Sequence, residues 1–367
     1  MPFDEPKDNK KIMFFCPTDT WGGVEKNVLL RCKFLADKGY RIWVVLLKGK
    51  FQEKFKDVKN VSVINVNSRG GDINVLVVAT YVKLLKRIAP DVVFSALKKD
   101  WWLVSLSAYL SSVPRTILYL GIKRKIKNSL KYKLVFNTFK AIVLVNSDSL
   151  KRHLLESTRF FDAENLFRIY NGFQIPESKE IFPVKKQFNL PEDSFIVGSV
   201  GRMSVQKGYD QLPRILEQLP KNVHMVHVGT GALEEEIKKM ASSSNVTERI
   251  HFLGQKDNVN PVYRAMDAFL LCSRYEGMAN VVNEALSHGV PVVSTRVDGS
   301  EELLDHGTYG ILTDIDDVSA MAQGILDIYN NNKTFHPEEL QDWIQHNFSM
   351  ERMVSETEHL LFSPQMN

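Results

Sequence analysis

The chain has 367 residues, of which 44% are hydrophobic and 25% are charged, and its formal net charge is +4. This length predicts two domains, and the hydrophobic content is ordinary for a globular protein. No apolar run approaches the roughly 20 residues that a membrane span needs, and the polar residues 1–11 do not have the pattern of a signal peptide.

The three cysteines are Cys16, Cys32 and Cys272, and they lie far apart without the spacing of a metal site. Cys16 and Cys272 lie in or beside apolar strand candidates, so buried thiols are expected there. Free thiols favour a reduced, cytoplasmic location.

Charge is divided unevenly along the chain. Residues 1–175 hold 31 Lys and Arg against 15 Asp and Glu, a balance of +16, whereas residues 176–367 hold 16 against 28, a balance of −12. A basic first half beside an acidic second half indicates that the first half meets something negative.

In the first half, apolar runs alternate with helical patterns, which predicts a parallel sheet with helices on both faces. Helices are predicted at about 25–38 and 73–88. Strands are predicted at residues 11–16, 41–47, 61–66, 91–95, 115–120 and 141–145.

The second half repeats this alternation. Helical patterns are predicted at 211–219 and 281–287. Strands are predicted at residues 195–200, 223–228, 250–253, 268–271 and 291–294. Loops that follow the strands carry the candidate site residues, and ligands of open α/β sheets bind at the carboxyl ends of strands.

These patterns predict a first domain at 1–172, a second at 173–345 and a C-terminal helix within 346–367. Residues 172–191, with Pro176, Pro183 and Pro191, have the composition of a linker. Ser349 is a candidate N-cap of the last helix.

Two glutamates, Glu276 and Glu284, stand eight positions apart across the end of a predicted strand and the start of a helix. Small residues between them, Gly277, Met278, Ala279 and Asn280, would offer backbone N–H groups to an anion at the helix N-terminus. Carboxylates accept hydrogen bonds from sugar and ribose hydroxyls. The segment therefore suits a ligand with a sugar, a diphosphate and a ribose.

A second segment, from Val197 to Gly208, has the pattern of a strand, a glycine turn and two cations, Arg202 and Lys207. Arginine presents a planar fork to phosphate oxygens, and lysine presents a movable point charge. Together they would neutralise a leaving pyrophosphate.

With these two segments in view, the chain resembles a retaining glycosyltransferase of the GT-B fold, family four, also called the group 1 glycosyltransferases. Further matches occur in order along the chain. They are Gly22-Gly23-Val24-Glu25-Lys26, residues 144–151, residues 169–173, His227-Val228-Gly229-Thr230-Gly231, Phe252-Leu253-Gly254 and Gly289-Val290-Pro291-Val292-Val293.

This resemblance implies two Rossmann-like, doubly wound domains that face each other across a cleft. The first would bind the acceptor and the second the nucleotide sugar, and the C-terminal helix would cross back to the first domain. It implies that Glu276 orients the donor sugar, that Glu284 binds the ribose, and that Arg202 and Lys207 hold the diphosphate. Gly22 and Gly23 would let backbone approach the donor, and Gly229 and Gly231 would make room for the nucleotide.

The resemblance also implies a metal-independent transfer with retention of configuration, most often from a UDP-sugar. The sequence offers no obvious metal site. The acceptor implied is a glycan or lipid-linked glycan of surface polysaccharide or lipopolysaccharide synthesis. Many members carry a histidine near the acceptor, but residues 116–123 contain none, which leaves the acceptor side less defined.

Residues 121–133 are rich in cations and contain no acid, with Ile122, Ile126, Leu130 and Lys133 at helical spacing. The pattern predicts a basic amphipathic helix that lies on an anionic membrane surface, so that the protein would be peripheral on the inner face of the cytoplasmic membrane. The cations concerned are Lys123, Arg124, Lys125 and Lys127. A solvated surface helix is the alternative.

Other functions compete with the transferase. A sugar-nucleotide epimerase or hydrolase on a similar fold would need an acid/base pair that the sequence does not display, and an inactive nucleotide-sugar-binding partner would not need intact Glu276, Glu284, Arg202 and Lys207. Nucleic-acid binding is disfavoured, because the basic first half lacks the interleaved aromatic and basic residues that single strands need. A NAD-dependent dehydrogenase is disfavoured, because no Gly-x-Gly-x-x-Gly fingerprint follows a predicted strand in this sequence.

Overall fold

The computed structural model describes residues 10–67, 74–162, 164–175 and 178–362. Within this part, the chain divides into two compact units. The first comprises the residues up to Asn171 together with those from Glu351 onward, and the second comprises Gly172–Met350.

The first unit is built on a seven-stranded parallel sheet with the order β3-β2-β1-β4-β5-β6-β7. The order reverses beside β1, as in a doubly wound fold. Its strands are β1 (Lys11–Phe15), β2 (Arg41–Leu47), β3 (Val61–Val66), β4 (Val92–Ser95), β5 (Arg115–Leu120), β6 (Ile142–Val145) and β7 (Leu166–Arg168).

Helices lie between most of these strands, as parallel neighbours require, and a 3-10 turn (Gln52–Lys54) lies between β2 and β3. The helices are α1 (Gly23–Asp37), α2 (Val75–Ile88), α3 (Trp101–Leu110), α4 (Leu130–Lys133) and α5 (Asp148–Ser157), and a π-helical turn (Leu134–Thr138) follows α4. Asn74 and Ser147 cap α2 and α5 by accepting the N–H groups of Val77 and Leu150.

The second unit has a six-stranded parallel sheet with the order β10-β9-β8-β11-β12-β13. Its strands are β8 (Phe195–Val200), β9 (Val223–Val228), β10 (Ile250–Phe252), β11 (Ala268–Leu271), β12 (Val292–Thr295) and β13 (Ile311–Thr313). All six residues of β9 and all four of β11 are buried, which is typical of a parallel sheet covered on both faces.

The helices of the second unit include several single turns. They are α6 (Val184–Gln187), α7 (Leu212–Leu216), α8 (Glu234–Ser243), α9 (Asn260–Tyr263), α10 (Asn280–Ser287), α11 (Ser300–Leu303), α12 (Val318–Tyr329) and α13 (Pro337–Asn347).

A last helix, α14 (Met350–Phe362), begins directly after Ser349. From Glu351 onward it belongs to the first unit. There Tyr40 donates a hydrogen bond to the Glu358 carboxylate at 2.5 Å, and the rings of Tyr40 and Phe362 stack with centroids 5.1 Å apart.

The predicted doubly wound α/β architecture is confirmed in both units. The structure adds β7 and β13, which the sequence patterns did not predict, and α13 continues to Asn347, beyond the predicted end of the second domain at 345. Within the predicted linker, Val184–Gln187 forms α6, whereas Pro176 lies outside the described residues.

All three cysteines are free and buried, which confirms the burial predicted for Cys16 and Cys272. Burial raises the pKa of each thiol above its ordinary value. In the described part of the chain, no helix combines the length and the apolar character that a bilayer crossing requires.

Candidate active site

The candidate site is centred on two loops of the second unit, one after β8 and one after β11. These strands are parallel neighbours, with Ala268 beside Val197 and Phe269 beside Gly198. Because carboxyl ends of parallel strands share one edge of the sheet, residues that follow each strand come together. Lys207 and Glu276, 69 positions apart, meet there.

Lys207 and Glu276 form an ion pair, with Nζ 2.6 Å from Oε1. The Ser273 hydroxyl donates to the same carboxylate oxygen at 2.7 Å. Ser273 is fully buried and Glu276 is 7% exposed, so water screens this arrangement little. A charged carboxylate with two donors on one oxygen is held in a fixed orientation.

Gly208 explains how the two loops approach so closely. Its φ is +66°, and a Cβ at this position would lie 2.0 Å from the carbonyl oxygen of Cys272. Gln211 bridges the loops by donating from Nε2 to the carbonyl oxygens of Gly208 and Cys272, at 3.1 and 3.3 Å. Only glycine fits here, which places the preceding Lys207 beside the β11 loop.

Arg274 fastens the two loops from the solvent side. Its guanidinium binds Asp210 through two hydrogen bonds of 2.8 and 2.7 Å and Asp316 through a third of 2.8 Å. Its backbone N–H donates to the carbonyl of Gln206. Burial alone would raise the pKa of Asp210, but the Arg274 guanidinium outweighs it and the pKa is lowered. Neither Ser273 nor Arg274 was singled out from the sequence.

At the N-terminal end of α10, the backbone N–H groups of Gly277, Met278 and Ala279 have no acceptor among the described residues. Asn280 differs from the expectation, since its N–H donates to the Met278 carbonyl at 2.9 Å. Gly299, with φ of +78°, allows the next loop to pack here, because a Cβ would lie 2.8 Å from the Gly277 carbonyl oxygen. The positive end of the helix therefore retains donors for an anion.

Glu284 lies one turn further along α10 and is half-buried. The hydroxyl of the buried Tyr263 donates to its Oε2 at 2.7 Å. The Tyr263 ring stacks on His288, whose Nδ1 donates to the Glu284 carbonyl at 2.7 Å. Burial lowers the pKa of His288 and keeps its imidazole neutral. These contacts orient the Glu284 carboxylate.

Arg202 is not brought to Lys207 and Glu276. Its side chain is exposed, and no acidic side chain in the described part of the chain forms an ion pair with it. It follows Gly201, whose φ is +152° and where a Cβ would lie 2.7 Å from the Tyr209 hydroxyl. The guanidinium thus extends from a tightly packed glycine turn toward solvent.

His227 supports this turn from β9. Its Nε2 donates to the Gly201 carbonyl at 3.0 Å, and its Nδ1 accepts from the Ser199 hydroxyl at 2.8 Å. Burial lowers the pKa of His227 to about 4, against the raising effect of the Gly201 hydrogen bond, so the ring is neutral near pH 7. A neutral ring can donate from one nitrogen and accept at the other, which both bonds need.

Gly229 and Gly231 have a packing role. A Cβ on Gly229, whose φ is +134°, would lie 2.0 Å from the Gly201 carbonyl oxygen, and one on Gly231 would lie 2.2 Å from that of Met203. Both glycines thus make room for the neighbouring loop of the protein itself. Their predicted contact with a nucleotide remains a prediction.

Gly22 and Gly23 lie in the first unit, where Gly23 begins α1. The Gly22 N–H donates to Oε2 of Glu25 at 2.9 Å, and Glu25 is buried. The Glu25 side chain thus caps the N-terminus of α1, as the third helical residue does in a capping box. Glu25 therefore has a structural role, and the approach of Gly22 and Gly23 to a donor remains a prediction.

The prediction of a basic amphipathic helix over residues 121–133 is wrong. Only Leu130–Lys133 is α-helical, and residues 123–129, with the exposed Lys123, Arg124, Lys125 and Lys127, have no regular structure. Ile126 is buried in the core, but Leu130 is 73% exposed. Like charges four residues apart, such as those of Lys123 and Lys127, oppose a helix.

No group of three or more His, Cys, Asp or Glu side chains that could hold a metal ion occurs within the described ranges. At the candidate site, positive charge is present on Lys207 and at the α10 N-terminus.

Two family models match consecutive parts of the chain. The model of Glycosyltransferase Family 4 matches residues 21–175, and the model of group 1 glycosyl transferases matches residues 194–331. The chain belongs to the group 1 glycosyltransferases. The second match contains the whole Lys207 and Glu276 arrangement.

The chain is similar to the lipopolysaccharide core biosynthesis glycosyltransferase LpsE of Rhizobium meliloti, with 32% identity over 40% of this chain and 43% of that protein. It is 28% identical to the Vi polysaccharide biosynthesis protein VipC/TviE of Salmonella typhi, over 69% of this chain and 47% of that protein. The match thus spans less than half of the length of either relative.

The fold is that of HepE from Anabaena, solved in complex with UDP. The TM-score is 0.82 at 22% sequence identity, and the likeness covers 96% of this chain and 99% of HepE. This likeness confirms the predicted GT-B fold.

Proposed function

We propose that this glycosyltransferase moves a hexose or N-acetylhexosamine from a UDP-linked sugar to a glycan or lipid-linked glycan. The proposed setting is the synthesis of surface polysaccharide or lipopolysaccharide. One observation carries the proposal: Glu276, held by Lys207 and Ser273, lies next to backbone N–H groups at the α10 N-terminus that have no acceptor among the described residues. A carboxylate that can accept hydrogen bonds from sugar hydroxyls therefore lies next to N–H groups that can bind a phosphate.

Each part of a nucleotide sugar has a counterpart in this arrangement. The Glu276 carboxylate would accept hydrogen bonds from the hydroxyls of the donor sugar. Lys207, Arg202 and the N–H groups of Gly277, Met278 and Ala279 would bind the diphosphate. Glu284 would accept hydrogen bonds from the hydroxyls of the ribose.

The same groups would act in the transition state. As the bond between the sugar and the diphosphate breaks, negative charge grows on the departing phosphate, and preorganised cations and N–H groups stabilise it. Fixed positive charge of this kind supplies the electrostatic stabilisation that a metal ion gives elsewhere. We therefore propose a metal-independent transfer, in which excess chelator leaves the rate unchanged.

Retention of configuration is part of the proposal. The acceptor hydroxyl would attack on the face from which the nucleotide leaves, and an oxygen of the leaving phosphate would take its proton. NMR of the product tests this step. An inverted anomeric centre would contradict it.

Relatives support the choice of donor and setting. HepE has been solved with UDP-glucose, and LpsE and VipC/TviE are described by their roles in lipopolysaccharide core and Vi polysaccharide synthesis. For this chain, UDP as the nucleotide and a surface glycan as the product are inferences from that similarity.

The decisive experiment is a panel of UDP-, GDP- and ADP-sugars incubated with the purified protein, with release of free nucleotide as the readout. Release from one donor that is lost in Glu276→Ala and kept in Glu248→Ala, an exposed acid of the same unit, supports the transferase and identifies its donor. The same time courses separate the alternatives. An epimerase would change the sugar without release, a hydrolase would release nucleotide at a rate that an added glycan acceptor does not raise, and an inactive binding partner would bind nucleotide without turnover.

A membrane location is proposed on the basis of charge. Lys123, Arg124, Lys125 and Lys127 are exposed in the irregular segment, and Lys98 donates to the carbonyl of Lys125 at 2.7 Å. Burial first, and then Arg124 and other cations of this segment, lower the pKa of Lys98, which indicates a concentrated positive field. Such a surface attracts anionic lipid headgroups. The proposed place of action is the cytoplasmic face of the membrane.

A further inference from the structure

A buried polar cluster in the first unit has no part in the site described above. It consists of Asn27 and Arg31 on α1, Tyr119 at the end of β5, Asn146 directly after β6, and Asn171, and is called the Arg31 cluster below. None of the five side chains is more than 6% exposed. Tyr119 and Asn146 lie at the carboxyl edge of the sheet, where α/β folds bind ligands.

Arg31 is the unusual member, because it is a buried cation that forms no ion pair with any described residue. It is 1% exposed, and its Nε and Nη2 have no hydrogen-bond partner among the described residues. The guanidinium carbon lies 5.7 Å from the centre of the Tyr119 ring. Burial lowers the pKa of Arg31, and the groups that oppose this effect are Tyr119 and Cys32, neither of which is a carboxylate.

The other members satisfy one another only in part. Asn171 Oδ1 accepts from Asn27 Nδ2 and, at 3.4 Å, from the Tyr119 hydroxyl. Asn146 Nδ2 donates to the Gly121 carbonyl at 3.3 Å. The Oδ1 atoms of Asn27 and Asn146 have no partner among the described residues. The cluster therefore combines an uncompensated positive charge with neutral polar groups.

A buried charge is costly unless it is paired, and an apolar side chain of the same volume would avoid that cost. Asn27 and Arg31 lie at i and i+4 on the buried face of α1, where apolar residues such as Val28, Cys32 and Leu35 are also buried. Two polar residues at helical spacing on a core face indicate a local binding requirement. The +16 balance of residues 1–175 is consistent with an anionic partner for this unit.

We propose that the Arg31 cluster binds a negatively charged group of the acceptor, either a phosphate or a sugar carboxylate. The inference rests on the proposed function, since it assigns a chemical class to the acceptor of that reaction. Arg31 would present its fork of N–H groups to two oxygens of the anion, a geometry that both groups share. The Asn27 and Asn146 side chains and the Tyr119 hydroxyl would complete the contacts.

The test uses the full chain with excess UDP, so that phosphate sites of the second unit are occupied. Inorganic phosphate is titrated by 31P line width, and methyl glucuronide by saturation-transfer 1H NMR, with methyl glucoside as the uncharged control. The variants are Arg31→Met, Arg31→Lys and the matched control Arg87→Met, which removes an exposed arginine of the same unit.

At least one anion should bind the natural protein, and methyl glucoside should not. Affinity should fall at least about tenfold in Arg31→Met, fall less in Arg31→Lys, and stay unchanged in Arg87→Met. Binding of phosphate alone, or of glucuronide alone, identifies the acceptor group. Phosphate should also raise the melting temperature of the natural protein more than that of Arg31→Met.

Failure of both anions to bind, or equal affinity in Arg31→Met, overturns the inference. If Arg31→Met does not fold, Arg31→Lys decides, and unchanged affinity for both anions in that variant also overturns it. Nucleotide release from the donor panel is measured on the same preparations. Release without anion binding contradicts only this inference, whereas absence of release with every donor contradicts the proposed function.

Discussion

Lys207 and Glu276 share one short contact of 2.6 Å at the carboxyl edge of the second sheet. Their side chains are 19% and 9% exposed, so the pair is poorly hydrated. A phosphate that binds Lys207 must compete with Glu276 for the ammonium group. If Lys207 binds the diphosphate as proposed, the pair would couple diphosphate binding to the orientation of the carboxylate proposed to hold the sugar.

Glu276→Gln should separate sugar recognition from nucleotide binding. The amide has nearly the same shape but no charge, so it loses the charge-assisted bonds to sugar hydroxyls, and turnover of the donor should fall about 100-fold. UDP affinity should stay the same or rise a few-fold, because Lys207 is released from its partner. Steady-state kinetics and calorimetric UDP titration measure the two effects.

Lys207→Met provides the matched comparison for this pair. It removes the cation and leaves Glu276 uncompensated, so UDP affinity should fall about tenfold or more. Equal weakening of UDP binding in both variants would contradict the proposed coupling of the two residues.

Ser273→Ala should lower the rate without affecting nucleotide binding. The hydroxyl donates to Glu276 at 2.7 Å from a fully buried position. Loss of one such bond costs about 1.5 kcal/mol, or roughly tenfold in kcat, through a looser carboxylate. Ser194→Ala is the control, since its hydroxyl is equally buried and has no partner in the described part of the chain. A change in UDP affinity of similar size would indicate a general packing defect instead.

Much of the fold follows from local patterns in the sequence. The predicted limits of the strands at residues 41–47, 195–200 and 223–228 coincide with those of β2, β8 and β9, because largely apolar runs form strands that are buried on both faces of the sheet. β7 and β13 contain three residues each, which is too short for any period to be recognised.

The sequence likewise predicts some residues of the candidate site and not others. Glu276 and Lys207 stand out because glycine turns and charged residues follow apolar strands. Ser273 and the ion pair of Arg274 with Asp210 depend on contacts between distant segments, which spacing does not reveal. Residues 123–129 show the opposite error, since helical spacing predicted a helix that repulsion between like charges disfavours.

Gly208→Ala should disrupt the site by a backbone clash. The new Cβ would lie 2.0 Å from the Cys272 carbonyl oxygen, in addition to the strain of φ at +66°. Gly254→Ala is a close control, because its φ is +64° and nothing lies within 4 Å of the Cβ position. The control should lose about 1 kcal/mol of unfolding free energy, and Gly208→Ala about 3 kcal/mol or more. Urea unfolding distinguishes them, and equal losses would contradict the packing role.

Charge removal from the irregular basic segment should abolish attachment to anionic vesicles. The variant replaces Lys123, Arg124, Lys125 and Lys127 with glutamine. Each cation near an anionic surface contributes about 1 kcal/mol, so binding to phosphatidylserine vesicles should fall at least 100-fold at low salt. Neutral phosphatidylcholine vesicles are the control surface. Unaltered sedimentation with anionic vesicles would contradict the membrane proposal.

His227 should make the second unit sensitive to acid. Its pKa in the folded protein is about 4 because of burial, whereas an unfolded histidine titrates near 6.5. The unfolded state therefore takes up the proton first, and stability falls as the pH drops from 6.5 to 4 and then becomes constant. The total effect is about 3 kcal/mol.

His227→Gln does not titrate and should lack this component of the pH dependence, although it is less stable at pH 7 because it disturbs the bonds to Ser199 and Gly201. Urea unfolding at pH 7, 5.5 and 4 compares the natural protein with this variant. His306→Gln, which changes an exposed histidine of the same unit, should keep the natural pH profile. Parallel profiles for the natural protein and His227→Gln would exclude His227 as the acid-sensitive group, and the acid sensitivity of the second unit would then come from other groups.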